Sequence, residues 1–249
     1  MRLDWELSTD TLEDNIEAEG LEDHIARLMA TQAGNDLEDV AINGDTEQTT
    51  DPLLKSFDGW AKLGRAGGIV VDGSTTDDPT VAGSQAGTGI HRGHFNAALK
   101  AVPRKYMQQR GNLKFFAGSN LVQDWLTKQV VLAEGMNPTG SADARVTNGP
   151  AVVNGGFGFT TPAAFGLAIQ EVPLFNETQV GDYAGATGNH GDIWLTFPQN
   201  LLWGVKREIQ VIREYKAKKD TNEWTMYCRV GTAVENPDTF VVVKNIKVG

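Results

Sequence analysis

The chain has 249 residues, with 22 basic and 32 acidic side chains and a formal net charge of −10. That balance excludes a surface that grips nucleic acid through phosphate contacts, which needs a basic excess. The one cysteine, Cys228, excludes an internal disulfide framework, and no apolar run approaches the ~20 residues of a membrane helix.

The charge is uneven: residues 1–60 carry 16 acidic and 3 basic side chains, a net −13, and the remainder carries +3. The opening MRLDWELSTD lacks the basic start and apolar core of a secretory signal. Within residues 1–7, Leu3, Trp5 and Leu7 alternate with Arg2, Asp4 and Glu6, the period of a half-exposed strand that needs a partner. Residues 8–14 read as a short helix with Ser8, Thr9 or Asp10 as its cap.

The strongest helical signal spans 18–42, where Leu21, Ile25, Leu28, Met29, Ala33, Leu37, Val40 and Ala41 recur at steps of three and four. The pattern predicts a core-packed amphipathic helix roughly 35 Å long with a solvated acidic face. Asn43-Gly44 supplies a stop, since both residues tolerate the left-handed conformation.

Residues 45–90, rich in Gly, Asp, Thr and Ser, read as loops, with a short helix at 52–60. A helix follows at 91–101, a strand at 112–117 and a further helix from Ser119. The Gly-rich stretch 135–166 reads as a long loop. The last third is β: short strands at 167–172 and 192–197, then two alternating runs at 205–215 and 223–230. These flank a charged hairpin tip, KAKKDTN, and a final strand covers 239–246. Helices early and strands late make the fold class α+β.

Chemistry-bearing motifs are sparse. Gly87-Thr88-Gly89 and Gly155-Gly156-Phe157-Gly158 lack the spacing of a dinucleotide fingerprint. His91 and His94 share a helical face with no third ligand, so they read as two polar surface residues rather than a metal site. Cys228 alternates with apolar neighbours and reads as a small core residue. The expectation is therefore no catalytic residue, no metal and no cofactor. Lys216, Lys218 and Lys219 read as a solvated turn or an intersubunit contact.

Several segments, in order and across nearly the whole chain, carry a resemblance. They are WELSTDTLEDNIE, DLEDVAINGDT, AVPRKY, FFAGSNLVQDW, IQEVPLF, IWLTFPQNLLWGVKREIQVIREY and VENPDTFVVVKNI. Together they are similar to the major capsid proteins of tailed bacteriophages, whose architecture is the Hong Kong 97-type capsid fold, shared with encapsulin shells.

The resemblance implies a layout and a function. Residues 1–7 would be the remnant of an extended-loop strand. Residues 8–60 and 204–249 would form a peripheral domain of a long spine helix plus a β-hairpin, with 61–203 as an axial domain. The family's N-terminal arm and outgoing loop strand have no counterpart ahead of residue 1, so the sequence reads as part of a longer, processed or unusually short chain. The loop lysine through which some relatives cross-link has no counterpart either, and no such cross-link is expected.

Copies of the chain would assemble as hexamers and pentamers into an icosahedral phage head that encloses double-stranded DNA without specific recognition. Scaffold, portal and decoration proteins would be its other partners. Assembly would take place in the host cytoplasm, and no membrane would be involved. Arg2, Trp5, Lys216, Lys218, Lys219 and Asp220 are the candidate intersubunit contacts, and Glu22, Asp23, Glu38 and Asp39 the candidate lumen-facing acids. The alternatives are an encapsulin-like cellular shell and a β-rich phage tail or adhesion module.

Overall fold

A computed structural model describes residues 2–8, 19–78, 89–133 and 162–249. The expected helix at 8–14, the Gly87-Thr88-Gly89 run except its last residue, and most of 135–166 lie outside the described residues. The chain divides into two compact units. The first comprises Met1–Leu63 and Leu201–Ala233, the second Gly64–Asn200 and Val234–Gly249.

In the first unit, β1 (Arg2–Ser8) supplies the opening strand and finds its partner in β8 (Thr221–Val234). The pairing is antiparallel, with Trp5 opposite Trp224 and Arg2 opposite Tyr227. With β7 (Leu201–Lys216) the order is β1-β8-β7, so β8 is central and β7 lies at an edge. Along β8, Trp224, Met226 and Cys228 are buried, which is the alternation expected of a half-buried strand. Cys228 is a core residue here, as its pattern implied.

The long helix α1 spans Glu19–Asn43. Its apolar stripe is not packed along its whole length: Ala33, Val40, Ala41 and Ile42 are buried, while Leu28 is 55% exposed. The core-packed helix predicted from periodicity is therefore core-packed only in its C-terminal half. The left-handed stop expected at Asn43-Gly44 is not used either, since neither residue has positive φ. Gly44 is required for space. A Cβ there would collide with the carbonyl oxygens of Val40 and Phe57, and the Gly44 carbonyl accepts from the Gly59 N–H at 2.7 Å.

The loop after α1 is tied down by Lys62. Its ammonium donates to Asp45 at 2.6 Å and pairs with Asp58 at 3.0 Å. Trp60 closes the base of the β7–β8 hairpin, its indole N–H shared between the carbonyls of Leu202 at 3.3 Å and Ala233 at 3.2 Å.

The 45–90 segment, read as loops with a short helix at 52–60, holds more regular structure than that reading gave it. A single helical turn occupies Leu54–Ser56, and the helix α2 covers Trp60–Gly67, followed by the strand β2, Ile69–Asp72. Composition hides them because the glycines serve packing: a Cβ on Gly64 would strike the Phe240 ring.

The second unit is a mixed six-stranded sheet. Its other strands are β3 (Lys114–Ala117), β4 (Ala163–Ala164), β5 (Leu167–Glu171), β6 (His190–Thr196) and β9 (Val241–Lys247), in the order β2-β9-β6-β3-β5-β4. Helices α3 (Arg92–Ala101) and α4 (Ser119–Ala133) accompany it. The core gathers Phe95, Phe115 and Trp125, with ring centroids 4.9 Å apart in both Phe95 pairs, and Ile193, Leu195 and Val243.

The last strand corrects the expected domain division. β9 pairs in parallel with β2 and antiparallel with β6, so 234–249 belongs with the sheet and not with the long helix. Its apolar run Val241-Val242-Val243 is buried on both faces, which an edge position beside the hairpin could not provide.

Two buried carboxylates in this unit are held by partners. Glu177 caps α4, accepting from the N–H groups of Asn120 at 3.0 Å and Leu121 at 2.8 Å, where the helix end favours a carboxylate. Asp192 sits where the β6–β9 register shifts and is paired with Arg65. Burial raises its pKa, and the Arg65 guanidinium opposes that rise.

Candidate assembly surface

The described residues contain no group of three or more His, Cys, Asp or Glu side chains placed to hold a metal ion. His91 and His94 are not surface residues. Both are buried, their rings stacked 3.8 Å apart at the start of α3. His94 Nδ1 accepts from the His91 N–H at 3.2 Å, so its proton sits on Nε2 and is donated to the Gly73 carbonyl at 3.1 Å. His91 Nδ1 accepts from the Gly93 N–H at 3.1 Å. The pair is a helix cap built from imidazoles.

The first unit carries the residues predicted for contacts between copies. On the β1–β8 face, Trp5 stacks on Trp224 with centroids 6.2 Å apart and planes within 4°. Arg2 is exposed and donates to Asp4 at 2.9 Å. That hydrogen bond raises the guanidinium pKa and lowers the carboxylate's.

The hairpin tip is more internally committed than a solvated turn. Lys216 pairs with Glu223, a contact that raises the ammonium pKa. Lys219 lies 3.7 Å from Glu6 on β1. Asp220 has φ of 51° and accepts from the Tyr215 hydroxyl at 2.7 Å, which raises the phenol's pKa. Lys218 is exposed.

On α1, Asp23 and Glu38 are exposed, and Asp39 is half-buried and accepts from Asn43 at 2.7 Å. Glu22 lies on the same helix, but its side chain lies outside the described residues. The structure thus joins Lys219 to β1 through Glu6 and leaves the acids spread along the helix rather than gathered at one point.

Sequence reasoning found the strand β7 but missed its exposure at an edge. Its residues from Leu202 to Tyr215 are exposed without exception, and Val205, Ile209, Val211, Ile212 and Tyr215 stand 51–56% exposed. The alternation of apolar and charged residues in 205–215 reads as one buried face. What it cannot show is that the strand lies at an edge where neither face is covered.

No protein-family model matches the chain. It is 26% identical over 241 residues to the protein described as "Putative prophage capsid protein YqbE" of Bacillus subtilis (strain 168), covering 97% of this chain and 67% of that protein. Among solved structures it is similar to one described as "Satellite phage P4 procapsid including size determination (Sid) protein", with a TM-score of 0.58 and 16% identity, covering 100% of this chain and 75% of that one. It is also similar to the holo-SrpI encapsulin complex from Synechococcus elongatus PCC 7942, with a TM-score of 0.57 and 10% identity, covering 100% and 74%.

The fold is the Hong Kong 97-type capsid fold. Fold alone does not separate phage heads from cellular shells, but the sequence relative falls on the phage side. The chain is thus similar in sequence to a prophage capsid protein and shares its fold with assembled shells.

Proposed function

We propose that copies of this chain associate as hexamers and pentamers and close into an icosahedral head enclosing double-stranded DNA. The observation that carries this reading is the alignment of 97% of the chain with a prophage capsid protein, on a fold that assembled shells share. In this reading the first unit is the peripheral domain and the second, with β9, the axial domain. Scaffold, portal and decoration proteins are its expected partners during assembly.

The acidic helix fits a container that does not hold its contents tightly. Asp23 and Glu38 are exposed on α1, and with Glu22 and Asp39 they are proposed to face the lumen, where like charge keeps the DNA backbone off the wall. Changing Asp23, Glu38 and Asp39 to lysine is expected to increase the DNA that emptied shells retain at low salt. Unchanged retention contradicts the lumen placement. Arg2, Trp5, Lys216, Lys218, Lys219 and Asp220 are proposed to contact neighbouring copies, with the ion pairs from Lys216 and Lys219 holding the hairpin tip in shape for that contact.

A second reading is supported by the similarity to the encapsulin complex at a nearly equal TM-score. The contents of particles purified from the native host separate the two: DNA supports a phage head, and a single enclosed protein supports a cellular compartment.

A further inference from the structure

The edge of β7 has no strand beside it among the described residues, since the order ends β8-β7. Sixteen residues of backbone N–H and C=O at ~3.3 Å each present roughly 50 Å of open edge. Edges of this kind are usually blunted by shortness, proline or charge. This one is long and has no proline, and its charges are arranged in a way that matters.

The sequence of β7 is partly self-complementary about Gln210. Laid antiparallel against a second copy with Gln210 opposite Gln210, Ile209 faces Val211 and Val205 faces Tyr215 on one side of the sheet. Lys206 faces Glu214 on the other. Each of these pairs occurs twice because the arrangement is two-fold symmetric. In these pairs apolar residues meet apolar residues and an ammonium meets a carboxylate, the pairs that stabilise neighbouring strands, while Glu208 comes opposite Ile212.

The one like-charge pair, Arg207 opposite Arg213, is moderated inside each copy. The Arg207 guanidinium lies over the Tyr227 ring at 5.6 Å and that of Arg213 over the Trp224 ring at 5.4 Å. Shifting the centre to Val211 places Glu208 against Glu214 and Lys206 against Lys216, so the register about Gln210 is favoured over that one.

We propose that β7 is a two-fold contact between copies of this chain, in which two β7 edges pair antiparallel about Gln210 and make one continuous six-stranded sheet. This deepens the shell reading and rests on it for its place in the assembly. The same patch meets itself, so the contact is isologous and closes as a pair. Val205, Ile209, Val211 and Tyr215, more than half exposed in the single chain, are then flanked by apolar counterparts.

The test uses cysteine placement, which the chain's single, buried Cys228 makes clean. In a Cys228→Ala background, Gln210→Cys puts two thiols at the symmetry axis, with Cα atoms within the span a disulfide bridges. Oxidation of assembled particles is expected to give a disulfide-linked dimer from Gln210→Cys. Lys206→Cys and Glu214→Cys, each far from its own copy, are expected to give little, but the mixture of those two variants is expected to cross-link.

Equal cross-linking at 206, 210 and 214, or none at 210 in particles that assemble, overturns the proposal while leaving the shell reading intact. Failure of the parent protein to form particles counts against the shell reading instead. The cross-link can then still be read on the protein in solution, where its absence at 210 overturns the pairing. As a second line, Ile209→Glu is expected to reduce particle yield at least tenfold with an unchanged circular dichroism spectrum, since the side chain is exposed in the single chain. Undiminished yield also overturns the proposal.

Discussion

Asn200 and Asn236 hold each other reciprocally. The Asn200 Oδ1 accepts from the Asn236 backbone N–H at 2.6 Å, and the Asn200 Nδ2 donates to the Asn236 carbonyl at 2.9 Å. The same Nδ2 reaches Thr196 Oγ1 and Thr239 Oγ1, each at 3.0 Å, and the Asn200 carbonyl accepts from the Glu235 N–H at 3.0 Å. The chain leaves the second unit after Asn200 and re-enters it at Val234. One buried amide therefore closes the neck of the hairpin excursion and organises the turn that leads into β9.

Replacing Asn200 with Ala leaves a buried N–H and carbonyl without this partner. The expected loss is about 2–3 kcal/mol in urea unfolding. Asn200→Asp keeps the acceptor but sets a carboxylate against the Asn236 carbonyl, and is expected to cost at least as much. A change below ~0.5 kcal/mol for Asn200→Ala would contradict the assignment.

The Lys62 cluster predicts a pH dependence. Hydrogen bonds from Lys62 to Asp45 and from the Thr46 N–H to Asp58 hold both carboxyl pKa values below the ordinary range, and Asp45 raises that of Lys62 to about 12. Depressed carboxyl values contribute stability that is present above the unfolded value near ~3.9 and is lost as pH falls through the folded one. Lys62→Met is therefore expected to be less stable than the parent at pH 7, with the gap closing as pH falls below about 4. A gap independent of pH in thermal unfolding would show that Lys62 acts through packing alone.

His94 predicts a different window. Burial pushes its pKa down to about 3 and also lowers that of His91. The folded chain then keeps His94 neutral while the unfolded chain protonates it below about 6.5. This group's contribution is constant above that pH and falls by up to ~1.4 kcal/mol per pH unit below it, until the folded value is reached. His94→Gln removes the titration, so the stability difference between parent and variant is expected to narrow between pH 7 and pH 4. A constant difference would contradict the buried, neutral imidazole.

Much of the fold was legible because it rests on periodicity. The helix read at 18–42 is α1 at Glu19–Asn43, and the runs at 205–215 and 223–230 are β7 and β8. Local pattern failed where distant contacts decide. Gly64 reads as a helix breaker, yet it sits within α2 because Phe240, far along the chain, needs the space. The final strand follows the hairpin in sequence, but its continuous valines require two covered faces, which the mixed sheet supplies.

The pair at 91 and 94 has the spacing of a capping box, Ser/Thr-x-x-Glu/Gln, with imidazoles in place of the usual residues. Reading it as two polar surface residues hid that role. The candidate surface was half legible. Charges at the tip announced themselves, whereas the open apolar edge of β7 depends on strand order, which no single strand's pattern encodes.

Electron microscopy of the protein produced from its complete gene tests the central claim most directly. The account predicts closed icosahedral particles of uniform size, whose subunits superpose on both units described above. A protein that stays monomeric or forms only small oligomers, across the concentrations and salt conditions that promote assembly, would contradict it.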